Sequence, residues 1–577
     1  ALDQDVDSEG AADSVKLDVE YGLDSNWLKD IKSGIYYTDK ELTIRDTEYS
    51  NWGALNRAWI AGEGDASSPD VVPNEWERVD FSDFYKDGGL VGGNTNFYFP
   101  KMSNAQNLTE FTRRGCGTFS RAPNGGGVYP QINSKCYMTQ IDLPDRVSGT
   151  PFAPFHVTST NEERTEAYVR VDFGNEELSM PVRGNLGLRY VNYQLESTGF
   201  TLLPFTRPSF SSTAGATLFN QKYPNLLDMV NPQGGIASSI KGTDYSTVLP
   251  SFNLAVDVAD DVIARFGVSK GLFFPALNLT RNSRIANILV TENRLNPGQP
   301  LQENPNLPNY NPVNNVDAQL SGNQRNPFLE PEEAVNFDVS TEWYFAEAGS
   351  LTASLFKKDV DNLFRDRNLP VEIVNPLNGA KENFSLAGPA NEGSGSIQGV
   401  EIAYSQFYDS LPGAFSGLGL QLNYTYVDQK DMNDDAAVGS GGVRFDSDGT
   451  ELVDTRASFR QFTNLPLPGY SDQNYNIVGM YEYNDISARL AYTWRSEYLI
   501  TRRDSNEFAP VYSKDVGSLD FTFFYSINDN FKVGFEATNL LDTETETQVQ
   551  LNQAGDRTDS LNFITDKRYA ISLRANF

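Results

Sequence analysis

Apolar and polar residues alternate with period two from one end of the sequence to the other. Near the start Val15, Leu17, Val19 and Tyr21 stand against Lys16, Asp18 and Glu20. At the end Tyr569, Ile571, Leu573, Ala575 and Phe577 stand against Arg568, Ala570, Ser572, Arg574 and Asn576. YVRVDF, NLGLRYVNY, SFNLAVDV, VNFDVSTEWYF, LGLQLNYTYV and ISARLAYTW repeat the pattern. Successive side chains of a strand point to opposite faces, so each run reads as a β-strand with one apolar and one polar face. About fifteen strands are predicted on this periodicity, near 13–23, 29–46, 161–174, 181–199, 243–259, 261–278, 332–346, 349–365, 397–410, 416–430, 472–484, 485–500, 513–527, 530–545 and 561–577.

The connections alternate too. Short turns at 23–26, 174–180, 259–261, 346–349, 411–417, 483–485 and 528–530 separate long segments rich in Gly, Pro and Asn, at 47–160, 200–242, 279–330, 366–396, 431–471, 501–512 and 546–560. Short turns on one side and long loops on the other mark a transmembrane antiparallel β-barrel with extracellular loops. Bacterial single-chain barrels close with an even number of strands, and an odd count conflicts with that. The first predicted strand ends in a short turn and so runs inward. The sequence is therefore expected to enter in mid-barrel, with 1–12 a lead-in, 13–577 the barrel portion and 47–160 its largest loop.

The chain has 577 residues, with 46 basic and 77 acidic side chains; 46 − 77 gives −31. That balance argues against nucleic acid, which needs a basic face. A mean hydropathy of −0.45 excludes helical membrane spans only, because barrel strands are half polar. The 28 Tyr and 36 Phe suit the aromatic girdles of a barrel, with Tyr424, Tyr426, Tyr492, Trp494, Tyr569 and Phe577 on the outward side. His156, the one histidine, lies in the proline-bracketed PFAPFH and is expected to be exposed. No phosphate-cradling loop, HExxH or nucleophile elbow is present, so no enzyme is assigned. Cys116 and Cys136, in a Gly- and Asn-rich segment without further metal ligands, are expected to form a disulfide in an oxidising compartment. The sequence opens on Ala1 with no signal peptide, as a mature or trimmed product would.

Several stretches carry a family resemblance. YSTVLPSFNLAVDVADDVIARFGVSKGLFFP (245–275), NPFLEPEEAVNFDVSTEWYFAEAGSLTASLFKKDVDNLF (326–364), GVEIAYSQFYDSLPGAFSGLGLQLNYTYVD (399–428), FEATNLLD (535–542) and RYAISLRANF (568–577) resemble TonB-dependent outer-membrane receptors in order and spacing. WLKDIKSGIYYTDKE (27–41) is similar to a strand pair in the middle of such receptors. Phe274-Pro275 departs from the Arg-Pro that relatives often have.

The resemblance implies a plugged barrel of about 22 strands, of which this chain would supply the last fifteen. The plug, its TonB box and the first strands would come from elsewhere, in the same gene product or in a separate chain. It also implies the outer membrane of a Gram-negative bacterium, contact with lipid and lipopolysaccharide, coupling to TonB through the plug, and room for a surface lipoprotein partner. Phe577 and Tyr569 resemble the terminal insertion signal of such barrels.

The implied function is active nutrient uptake, with oligosaccharides as the first ligand class. Ferric siderophores or other metal chelates are the alternative, and a passive porin or surface-binding protein is the second alternative. Loop aromatics Trp52, Trp59, Trp76, Tyr85 and Tyr98 could stack on sugar rings, or simply pack the loop. Inward charges Arg170, Asp172, Arg183, Arg189, Glu401, Arg489, Arg495, Lys532 and Glu536 are expected to face plug or water, more as salt bridges than as ligand contacts. No cofactor is expected. The acidic stretches 428–437 and 445–454 could hold calcium, but Asp446 and Asp448 are followed directly by Gly449, which departs from a calcium loop.

Overall fold

The computed structural model describes residues 2–3, 5–23, 25–47, 51–52, 76–82, 95–103, 146–204, 207–208, 210–230, 235–296, 298–435, 444–445, 451–452, 462–504 and 509–576. Among these, fifteen strands follow one another: β1 Val6–Gly22, β2 Leu28–Asp46, β3 Val157–Asn175, β4 Val182–Leu202, β5 Gly235–Ala259, β6 Val262–Phe273, β7 Glu332–Ala346, β8 Gly349–Asp361, β9 Ser394–Phe407, β10 Leu418–Lys430, β11 Gln473–Tyr483, β12 Ile486–Arg495, β13 Val516–Ser526, β14 Phe531–Thr538 and β15 Arg568–Ala575. Each pairs antiparallel with the next. Among the described residues no ladder joins β15 back to β1, and every described residue of these two edge strands is exposed.

The register keeps the two faces apart. Opposite Lys16, Asp18 and Glu20 of β1 stand Tyr36, Gly34 and Lys32 of β2, while Val15, Leu17 and Val19 face Tyr37, Ile35 and Ser33. A slip of one residue would turn every apolar side chain to the polar side. On the outer face Leu17, Leu188, Val339, Leu355, Ile402 and Leu573 are exposed. Such a surface is a liability in water and a requirement against hydrocarbon chains. Glycine lets aromatic rings lie flat on the inner face. Phe356 stands opposite Gly399 and Phe524 opposite Gly534, and a Cβ on either glycine would sit 2.6 Å from the ring.

Among the described residues, the long connections hold more secondary structure than a polar composition suggests. β5 alone has 25 residues, about 80 Å at strand rise, so the sheet continues well beyond a bilayer. After β6 comes the hairpin Ser283–Arg294 with Val313–Gln324, and after β8 the hairpin Phe364–Val374 with Lys381–Asn391. The connection after β4 holds the helix Thr213–Lys222, whose Ser212 cap accepts from the Gly215 amide. Phe219 of that helix is buried with Leu226 and Met229 of the 3-10 turn that follows it and with Val316, Phe384 and Leu386 from the two hairpins. A second cluster joins Phe462, Leu465, Leu499, Val511, Tyr512 and Val549 from three later connections.

Three expectations need correction. The first strand begins at Val6, so much of the 1–12 lead-in is strand. The last two strands are shorter than 530–545 and 561–577 suggest, because Glu544–Gln550 and Arg557–Ile564 pair with each other outside the main sheet. The stretches 279–330 and 366–396 are largely hairpin: their alternation is real, and their Asn and Gly content masked it.

Candidate functional site

A recess of about 720 Å³ opens between β2 and β7, and Asp30, Arg170, Asp172, Arg183, Arg265 and Asp338 line its inner-face side. Here opposite charges meet. Arg170 reaches Asp172 at 2.5 Å, Arg183 reaches Asp257 at 2.8 Å, and Arg265 reaches Glu342 at 2.7 Å. Arg189 and Arg164 share Glu166 at 2.7 and 3.0 Å, and Lys40 reaches the buried Glu162 at 3.0 Å. The strand register places these groups side by side, and each pairing offsets the desolvation of both partners.

The inner face changes character around the sheet. On β10 to β13 a smaller recess of about 340 Å³ is lined by Asn423, Thr425, Asn474, Asn476, Thr493 and Ser518, with Arg495 at its edge. Thr493 donates to Asn476 at 2.5 Å. Arg495 lies 3.8 Å from the Tyr498 ring and donates to Ser471 and the Gly469 carbonyl. Glu401 accepts from Ser354 at 3.5 Å. Arg489 approaches Glu482 only to 3.9 Å, with both side chains at least half exposed. Lys532 sits 4.8 Å from the Phe524 ring and opposite Arg574, and Glu536 faces Ala570.

Above β8, β10 and β12 the connections fold back over the inner face. Met432 lies against Gly395, where no Cβ could fit. It packs with Leu363 and Ile397 over Phe356, Val427 and Leu467. Just beyond this apolar floor the buried Asp434 is met by three arginines: Arg367 at 2.8 Å, Arg502 at 3.5 Å and Arg365 at 3.7 Å. Arg367 also pairs with Glu392. Gly393, with φ of 83°, leaves room for the Arg365 guanidinium, 3.3 Å from where a Cβ would stand. The sequence reading missed this cluster. Its only local signal is the Arg-Asp-Arg run at 365–367, where the predicted strand 349–365 gives way to the predicted loop 366–396.

Of the loop candidates, Trp76 and Tyr98 share one strand pair, Trp52 lies on another, and the rest fall outside the described residues. Tyr98 is exposed on the strand Asn96–Pro100, which pairs with Trp76–Asp80. Trp52 belongs to the short strand Asn51–Trp52, paired with Leu2–Asp3. Trp59, Tyr85, Cys116, Cys136 and Phe577 fall outside the described residues. Tyr569 is exposed on the outer face of β15. Of the acidic stretches, 436–437, 446–450 and 453–454 are likewise outside, and Asp434 is engaged by arginines. No group of three or more metal-ligating side chains occurs among the described residues.

His156 corrects the expectation of exposure. It ends a turn of 3-10 helix beneath the rim of β3, is buried, and accepts from the Ala153 amide through Nδ1 at 3.1 Å. Burial first, and the charge of Arg146 second, pull its imidazole down to about 3.

The family model described as TonB dependent receptor-like, beta-barrel matches residues 1–540. Among solved structures, the siderophore receptor PiuA of Acinetobacter baumannii aligns over 99% of this chain and 56% of its own length, at 12% identity and a TM-score of 0.46. The ferric-catecholate import receptor Fiu of E. coli K12 aligns over 99% and 55%, at 12% identity and a TM-score of 0.45. The ferric yersiniabactin uptake receptor FyuA of Yersinia pestis aligns over 100% and 56%, at 9% identity and a TM-score of 0.44. The chain thus spans little more than half the length of these structures. No curated protein sequence matches it.

Proposed function

This chain belongs to the TonB-dependent receptor β-barrel family, and from that premise we propose that it forms most of the wall of an outer-membrane receptor that takes up a nutrient actively. The observation that carries this reading is the two-faced sheet: an apolar, exposed outer side, a charged and amide-lined inner side, and long ordered connections at one rim only. The long connections lie outside the cell and collect the ligand, and the inner wall surrounds a plug that TonB pulls.

The plug and further strands come from residues beyond this chain. Strand direction supports this. In an antiparallel series β1 and β15 run the same way, so an antiparallel closure needs an odd number of additional strands between them. Left open, both edges would place unpaired backbone groups in lipid. Lipid and lipopolysaccharide then surround the outer face. Of the two ligand classes that the sequence raises, the amide wall suits the hydroxyls of an oligosaccharide, and the arginine cluster suits an anionic metal chelate.

The test is uptake by intact cells carrying the complete receptor. Radiolabelled oligosaccharides and ferric chelates are supplied with TonB present, with TonB deleted, and with the proton-motive force collapsed. Receptor-dependent uptake of one class that disappears in the last two conditions is expected. Uptake indifferent to TonB would hand the role to a passive porin.

A further inference from the structure

We propose that Arg365, Arg367 and Arg502 form an anion-binding site at the mouth of the wall, taking carboxylate or phenolate oxygens of the incoming ligand, with Asp434 as their internal placeholder. The proposal rests on the uptake reading above and gives its ligand a chemistry. Arg365 and Arg367 come from the connection after β8 and Arg502 from the one after β12, while Asp434 comes from the one after β10. Three guanidinium groups thus meet two ion-paired carboxylates, Asp434 and Glu392.

A carboxylate has few acceptor positions, and each guanidinium is a planar fork of several N–H donors. Asp434 is already occupied by the Asp435 amide at 3.0 Å and by Arg367 at 2.8 and 3.4 Å. Arg502 and Arg365 are held at longer range, 3.5 and 3.7 Å. The Arg502 Nε is buried with no hydrogen-bond partner among the described residues, an arrangement that costs free energy unless an acceptor arrives. Burial, the largest influence, pulls the Arg502 guanidinium below its ordinary range; Asp434 opposes this, and the like charges of Arg365 and Arg367 add to it.

The arginine side chains keep 14–24% of their surface exposed, so a small anion can reach them. Beside them the floor of Met432, Ile397 and Leu363 is apolar, which strengthens charge-assisted hydrogen bonds by excluding water. The chain as a whole carries −31 and repels anions at long range. Guanidinium donors gathered in one place and not all used are therefore the feature an anionic ligand would need for capture. Two sources share this chemistry, a ferric chelate and an acidic oligosaccharide, and the test separates them.

The complete receptor, purified in detergent, is titrated calorimetrically with citrate, ferric citrate and trigalacturonate, with maltotriose as the neutral control. At least one anionic probe should bind, maltotriose should not, and the affinity should fall as salt rises. Arg502→Gln, which removes a group with one ion pair among the described residues, should weaken binding by about tenfold or more, and Arg502→Lys by less. Arg365→Gln is the second variant, and heat-modifiable mobility on gels checks that each barrel is folded.

Preference for ferric citrate identifies the chelate source, and preference for trigalacturonate the acidic saccharide. If no anionic probe outbinds maltotriose, or if both Gln variants bind like the unaltered protein, the site does not exist. Anion binding without TonB-dependent uptake would overturn the transport reading and leave the site. TonB-dependent uptake of a ligand indifferent to both Gln variants would do the reverse.

Discussion

Along β2 to β7 the inner-face arginines each reach an acid: Arg170 reaches Asp172, Arg183 reaches Asp257, Arg265 reaches Glu342, and Arg164 and Arg189 share Glu166. At the mouth above β8, β10 and β12 three arginines converge on Asp434. Both regions lie in one strongly acidic chain, and both are full of charge. In the wall the charges cancel within a few ångströms, so little field is left to recognise a ligand. At the mouth three guanidinium groups converge on the single carboxylate of Asp434, and donor capacity is left over. Neither net charge nor the number of arginines tells a binding surface from a structural one; the ratio of donors to acceptors within reach does.

The comparison breaks most sharply at Asp434. Its side chain is 7% exposed, and Asp434→Leu would leave three guanidinium groups facing one another. Removing one partner of a buried charge cluster costs about 3–5 kcal/mol. The mouth should open, and trypsin should cut after Arg365, Arg367 or Arg502 in the variant far faster than in the unaltered receptor. Equal cutting rates would mean that Asp434 does not organise these connections.

In the wall the corresponding change is Glu166→Gln. It strips the acid from Arg164 and Arg189, but Arg189 is half exposed and can turn to water. A cost of about 1–3 kcal/mol is expected, read as a lower temperature for loss of the heat-modifiable gel form. A loss as large as that of Asp434→Leu would erase the distinction between the two regions.

His156 tests the rim of the wall, at the start of β3, through pH. Its imidazole is neutral in the fold and held at about 3 against an ordinary 6.5. Below 6.5 the unfolded chain takes up a proton and the folded one does not. The stabilisation is thus complete above about pH 6.5, shrinks by about 1.4 kcal/mol per unit below it, and levels off near pH 3. The protection factor of the Ala153 amide, which donates to the ring, should fall on acidification once the intrinsic exchange rate is divided out, and His156→Gln should flatten the profile.

The wall was far more legible in the sequence than the mouth. Period-two alternation is a local property, so it places β7 at its observed bounds and β10 and β11 within a residue or two. The inward charges shared a face because the register repeats every second residue. His156 was misread because prolines around a polar residue suggest a loop, and nothing local shows that the turn beneath β3 would be covered. The arginine cluster was out of reach for a different reason. Residues 365, 434 and 502 meet only through the folding of three separate connections, and each of them looks in sequence like an ordinary charge at a strand end or in a solvated loop.

Arg489 gives the smallest expected effect and the strictest control. It faces inward like Arg170 and Arg183, and sequence alone ranks it with them. Yet its contact with Glu482 is 3.9 Å long, and the two side chains are 59% and 50% exposed. Water screens such a pair, and holding two long side chains together offsets most of what attraction remains. Arg489→Ala should therefore change neither the heat-modifiable transition nor the binding of citrate, whereas Arg502→Gln should change the binding. If Arg489→Ala weakens anion binding as much as Arg502→Gln does, the whole inner face attracts the ligand by diffuse field, and the distinction between a neutralised wall and a cationic mouth gives way.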